Sequence, residues 1–161
     1  MAAKIQLVPE AARYLATAFP QLVPGLGSNF PAPALGFDAA AVESAYFVFR
    51  AADYVSGNVT VDIEWYAAAT SNAVVWGAAI ACQTPSDAQS VLTKTMGTAA
   101  TVTTTKSGTA NGPMRSTITI TSLDSLAADD VVWLRVYRDA TSGSDTMAND
   151  AFLTLVQVSY S

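Results

Sequence analysis

"NVTVDIEWYAA", Asn58–Ala68, is the stretch that decides the fold. Val59, Val61, Ile63 and Trp65 alternate with Thr60, Asp62, Glu64 and Tyr66. Successive side chains of a strand point to opposite faces. This alternation therefore predicts one face against a core and one towards water. Further strands are read at "ESAYFVFR" (43–50), "NAVVWGAAIACQ" (72–83), "TVTTTKS" (101–107), "RSTITITS" (115–122), "VVWLRVYRD" (131–139) and "AFLTLVQVSY" (151–160). A short strand at "ALGF" (34–37) brings the total to about eight, and turn residues punctuate the series. Such spacing predicts an all-β fold, a jelly roll or β-sandwich of antiparallel strands, over residues 35–161. The Thr-rich pair flanks a Gly-Pro turn in "SGTANGP" (107–113). Two connections, "TPSDAQSVLTKT" (84–95) and "SLDSLAADD" (122–130), are candidates for a helical turn. In the second, Leu123 and Leu126 are expected to tuck under the sheet with the acidic residues facing out.

Residues 1–34 have a different character. Pro9, Pro20, Pro24, Pro31 and Pro33, with Gly25 and Gly27, argue against regular sheet and for an irregular, extended arm. "PEAARYLATAF" (9–19) allows a short helix with Pro9 in its first turn. A flexible linker would be polar, whereas this segment carries Ile5, Leu7, Val8, Tyr14, Leu15, Phe19, Leu22 and Phe30. Such an arm is expected to lie along another surface, that of its own domain or of a partner. Those eight residues are the candidate contacts.

Only 13% of the 161 residues are charged, about half the usual share. Part of the surface is therefore expected to be buried against other subunits. The alternative is a monomer coated in Ser, Thr and Ala. A net charge of −5 with eight scattered Lys and Arg excludes the clustered cations that nucleic-acid binding needs. Cys82, the single cysteine, lies in an apolar run and reads as a small core residue. Histidine is absent, which removes the commonest general base and transition-metal ligand. Glu10, Arg13 and the prolines break the apolar run that a signal peptide requires. No stretch is long and apolar enough to span a membrane, so the chain is expected in the cytoplasm when made.

Asp139, Asp145 and Asp150 fall at relative positions one, seven and twelve of the last loop, but Thr141, Gly143 and Ser144 stand where a calcium hand needs ligands and glycine. The expected role is a structural corner, with Arg138 pairing Asp139 or Asp150. Asp62 and Glu64 share a strand face and could form a carboxylate pair, but they read as the solvated side, within reach of Arg50 or Arg135 on other strands. No serine sits in a nucleophile elbow, Lys4, Lys94 and Lys106 lie in no suggestive context, and no phosphate-binding glycine loop occurs. Trp65, Trp76 and Trp133, with Tyr46, Tyr54, Tyr66, Tyr137 and Tyr160, could build a sugar-stacking platform. All three tryptophans are expected in the core instead. No catalytic, cofactor or metal residue is assigned, and the chain is read as non-enzymatic.

Taken together, "DIEWYAAATSNAVVWGAAI" (62–80) and "LRVYRDATSGSDTMANDAFLTLVQVSY" (134–160) resemble the jelly-roll virion proteins of tailed bacteriophages, namely capsid decoration (cement) proteins and head- or tail-fibre modules. The resemblance spans Leu35–Ser161 and marks a fold rather than a chemistry. It implies a homotrimer on the outer capsid surface of the virion, assembled in the host cytoplasm. There it would stabilise the shell by gripping the major capsid protein through residues 1–34. The other role within the same resemblance is a fibre module that recognises a host receptor or glycan.

Overall fold

The computed structural model describes residues 3–161. The alternation in Asn58–Ala68 produces strand β5, Val59–Tyr66, with Val59, Val61, Ile63 and Trp65 buried and the intervening residues half-buried. Nine other strands accompany it among the described residues: β1 (Ala3–Leu7), β2 (Gln21–Val23), β3 (Ala34–Phe37), β4 (Glu43–Arg50), β6 (Ala73–Gln83), β7 (Ala100–Thr105), β8 (Met114–Ile120), β9 (Val131–Arg138) and β10 (Ala151–Tyr160). They form two antiparallel sheets. One runs β2-β3-β10-β5-β8 with β1 also on β10, and the other runs β4-β9-β6-β7.

The pairing is nested. β3 pairs with β10, β4 with β9, β5 with β8 and β6 with β7. The ribbon of pairs then folds on itself, bringing β10 against β5 and β9 against β6. This is the jelly-roll winding of eight strands into a sandwich. The two Thr-rich strands exist as expected but do not form a hairpin: β7 belongs to one sheet and β8 to the other, and the Gly-Pro turn crosses between them.

The inner faces meet around Trp76, whose ring stands edge-on to Phe37 (5.1 Å between centroids) and Trp65 (6.0 Å). Trp65 Nε1 donates to Ser116 Oγ at 2.9 Å, and Ser116 Oγ donates to Thr104 Oγ1 at 2.7 Å. That relay ties β5 and β8 of one sheet to β7 of the other. Trp133 departs from expectation. It faces outward and is half-buried, because Val132, Leu134 and Val136 take the inner phase of β9. Strand β6 is buried on both faces. Its outer side is roofed by the neighbouring strand: a Cβ on Gly77 would lie 2.2 Å from Cζ of Tyr137, and the Arg135 guanidinium sits 4.3 Å over the Tyr137 ring.

The first 34 residues are more regular than their prolines suggest. β3 occupies only Ala151–Leu153 of β10, leaving the backbone of Val156–Tyr160 open on that side. β1 fills it, in register from Ala3↔Tyr160 to Leu7↔Val156, and removes an exposed sheet edge. The expected helix over 9–19 is reduced to one 3₁₀ turn, Pro9–Ala11. Beyond it the chain runs along the edge of β4, where Arg13 and Tyr46 exchange both backbone hydrogen bonds (2.7 and 2.9 Å) and Ser44 N–H donates to Ala18 O. A continuing helix would leave that edge unpaired. β2 then returns along β3.

The two connections considered for helical turns form turns and bends only. In 122–130, Asp124 and Ser125 adopt left-handed φ values of 51° and 61°, which breaks helical continuity. Leu123 and Leu126 pack under the sheet as expected. Two of the acidic residues turn inward rather than out. Asp124 accepts from Cys82 N–H at 2.8 Å and pairs with Lys94 at 2.8 Å, while Asp130 is fully buried and accepts from Ala127 N–H.

Candidate functional site

The last loop is a corner closed by one buried ion pair. Arg138 and Asp145 have 0% and 1% exposed side chains, and they meet in a two-point contact: Nε to Oδ2 at 3.0 Å and Nη2 to Oδ1 at 2.8 Å. Arg138 also donates to the carbonyls of Phe37, Met147 and Asn149. Asp145 Oδ2 also accepts from Val75 N–H at 3.0 Å. The expected partners were Asp139 or Asp150. Asp139 instead accepts from Thr141, and Asp150 from Ala39 N–H. Among the described residues no group of three His, Cys, Asp or Glu is placed to hold a metal.

Asp62 and Glu64 lie on the outer face of β5, paired across to β8. Thr117 Oγ1 donates to Asp62 Oδ1, and Arg115 contacts Glu64 Oε1 through both Nε and Nη2, at 2.5 Å each. Arg50 and Arg135 lie on the other sheet and meet neither. Arg50 reaches Asp129 at 3.8 Å, and Arg135 donates to Ser44 Oγ.

The Cys82 thiol is 4% exposed, with Sγ 3.4 Å from Leu123 O. Burial, and then the carboxylates of Asp124 and Asp130, push it up to about 12 from its ordinary 9.0, against a smaller opposing effect of Lys94. The folded state thus holds the proton that the unfolded thiol releases first. The thiol's contribution to stability is expected to be constant below pH ~9 and to be lost as pH rises towards about 12. Urea titrations across that range should show a smaller fall for Cys82→Ala, and a thiol reagent should label the native chain only on unfolding. Rapid labelling at pH 8 without unfolding would refute this.

The eight candidate contact residues of the N-terminal segment separate into two sets. Leu7 is buried and Ile5 half-buried, so both pack into the chain's own sandwich. Val8, Tyr14, Leu15, Phe19, Leu22 and Phe30 are exposed, by 39–71%. With Leu26 they make up seven of the eleven large exposed hydrophobic side chains among the described residues. Tyr14 and Phe19 pack ring to ring at 5.5 Å on the flank beside β4.

The sequence reading missed a cleft that this segment creates. Val8–Glu10 and the 26–33 stretch stand over the outer face of β5 and border an open cleft of about 690 Å³. Tyr66, Glu64 and Thr154 line it from the sheet, Phe30 and Leu26 from the segment, and Asn111 from the crossing turn. Tyr66 is held by stacking on Phe152, 5.1 Å between centroids and 15° between planes. The tyrosines do not form one platform: Tyr54 and Tyr160 are buried against each other, and Tyr46 and Tyr137 belong to the other sheet.

No family model and no curated protein matches the chain. Solved structures do. A carbohydrate-binding module specific for non-crystalline cellulose, CBM28, superposes with a TM-score of 0.50 at 9% identity, covering 92% of this chain and 85% of its own. A structure from work on the promiscuous specificity of carbohydrate-binding modules of the β-sandwich superfamily matches at a TM-score of 0.40 and 8% identity, covering 98% of this chain and 54% of its own. At such identity the first match establishes the β-sandwich fold and nothing finer.

Proposed function

We propose that the chain is a non-enzymatic virion structural protein of the tailed-phage type. In this reading it acts as a homotrimeric decoration subunit that docks on a capsid shell through its N-terminal segment. The observation that carries the reading is the exposure of four large apolar side chains of this segment: Tyr14 and Phe19, packed together beside β4, Leu15 between them in sequence, and Leu22 on the edge strand β2. These side chains stay exposed although Leu7, Ala12 and Pro20 of the same segment are buried. Large apolar patches on a soluble surface mark interaction sites. The low charge content and the resemblance of residues 62–80 and 134–160 point the same way.

Deleting residues 1–34 is an unselective test, because it also strips β1 and β2 from the sheet. The triple variant Leu15→Ser/Phe19→Ser/Leu22→Ser changes only exposed positions. It is expected to keep its thermal midpoint and to lose capsid binding by at least about 100-fold in co-sedimentation with isolated heads, each buried side chain contributing about 1.5–3 kcal/mol. Undiminished sedimentation of the variant would sink the docking model.

The cleft on β5 favours a second reading, a fibre-type module that recognises host glycans. A concave, mostly apolar hollow with a few convergent polar groups is the usual form of a small-ligand site. The β-sandwich fold is shared with the cellulose-specific module CBM28.

A further inference from the structure

The geometry points to a neutral, hydroxyl-rich carbohydrate as the occupant of the β5 cleft, an inference that rests on the second reading above. The charged residues lining the cleft are both carboxylates, Glu10 and Glu64. The nearest paired cation, Arg115, spends both of its contacts on Glu64 Oε1. Glu64 Oε2 has no hydrogen-bond partner among the described residues, so it is free to accept. An anionic ligand would meet repulsion from Glu10 without a free cation in the lining to offset it. A strongly cationic ligand gains little, because Glu64 is already half of an ion pair and Glu10 is exposed, where water screens a surface charge pair.

The choice then lies between an apolar peptide segment and a sugar. A peptide's apolar side chains would strip water from Glu64, Asn111 and Thr154 and return no hydrogen bonds, leaving only its widely spaced backbone groups to satisfy them. A pyranose presents both chemistries at once. Its C–H face packs on an aromatic ring, supplied here by the fixed Tyr66 and the exposed Phe30, and its hydroxyls donate to carboxylate and amide oxygens. The cleft volume, about 690 Å³, accommodates a short stretch of chain rather than a single small group.

The test is isothermal titration of the full chain with neutral polysaccharides (dextran, galactomannan and mixed-linkage β-glucan) and acidic ones (alginate and polygalacturonate). The chain is expected to bind at least one neutral polymer and neither acidic one. Phe30→Ala, at a 71% exposed position, should weaken binding about 10-fold through loss of stacking. Glu64→Gln should weaken it about five-fold through loss of an acceptor, and both variants should keep the thermal midpoint within ~2 °C. Preference for an acidic polymer would overturn the ligand class and leave the glycan reading standing. Binding untouched by both variants would place the ligand elsewhere and overturn the site. Failure of every polymer, and of a broad glycan array, would overturn the glycan reading together with the inference.

Discussion

Asp145→Ala is expected to lower the stability of the fold by about 3–5 kcal/mol, the cost of leaving a buried charge without its partner. For a chain of this length that corresponds to a fall in thermal midpoint of roughly 6–20 °C. Arg138 is fully buried, and without the carboxylate its guanidinium faces only carbonyl oxygens. Val75 N–H loses its acceptor in the same step. Asp139→Ala and Asp150→Ala remove acceptors from exposed hydrogen bonds and should each cost about 1 kcal/mol or less. A double replacement by apolar residues, Arg138→Met/Asp145→Leu, can be neutral where an ion pair stands alone. Here it should not restore stability, because Phe37, Met147 and Asn149 would lose the donor that Arg138 provides. Thermal melts of the four variants decide the matter. If Asp145→Ala melts with Asp139→Ala, the ion pair is not what closes the corner.

Trp65→Ala should be of similar severity, about 3–5 kcal/mol, whereas Trp133→Ala should cost less, about 2 kcal/mol, because its side chain is only partly buried. Trp65 is 1% exposed and touches the Trp76 ring, and its indole N–H starts the Ser116–Thr104 relay between the sheets. Its removal opens a cavity and leaves the Ser116 hydroxyl without its donor. Trp133 lies on the outer face of β9, in register with Val48 on one side and Ala81 on the other, and because it is partly exposed its loss leaves a depression that water can fill rather than a sealed cavity. Urea denaturation followed by the fluorescence of the remaining tryptophans measures both. Equal costs would mean that the outer face of the β4-β9-β6-β7 sheet packs as tightly as the core.

β5 was legible because one phase of its alternation is wholly apolar and the other wholly polar or amphipathic. β9 offers two phases of nearly equal apolarity, Val131-Trp133-Arg135-Tyr137 and Val132-Leu134-Val136-Arg138, with one arginine in each. Nothing local says that the arginine of the inner phase is neutralised by Asp145. The three aspartates of the last loop are likewise equivalent by spacing, and only the position of Val75 N–H on β6 distinguishes them. The N-terminal segment was hidden for a different reason. Its prolines argue correctly against a long strand, but β1 is stabilised by β10 at the far end of the chain, beyond the reach of any local pattern. The exposed apolar residues were visible as candidates. The cleft was not, because its walls come from the segment, from β5 and from the turn at Asn111, three parts of the chain that only the winding brings together.

The nested pairing of β10 has a consequence for how the protein is made. β10 is the strand that joins β1, β3 and β5, so the sheet gains its middle last. At ribosomal speeds of roughly 5–20 residues per second, β1 waits on the order of ten seconds for its partner to be synthesised. Until then β1, β3 and one edge of β5 carry open backbone groups on a chain rich in apolar residues. Such non-local topologies fold slowly and aggregate in the interval. A chain stalled before residue 151 would therefore be a sticky collection of strands rather than a smaller sandwich, and yield in the cell should depend on how quickly the last ten-residue strand arrives.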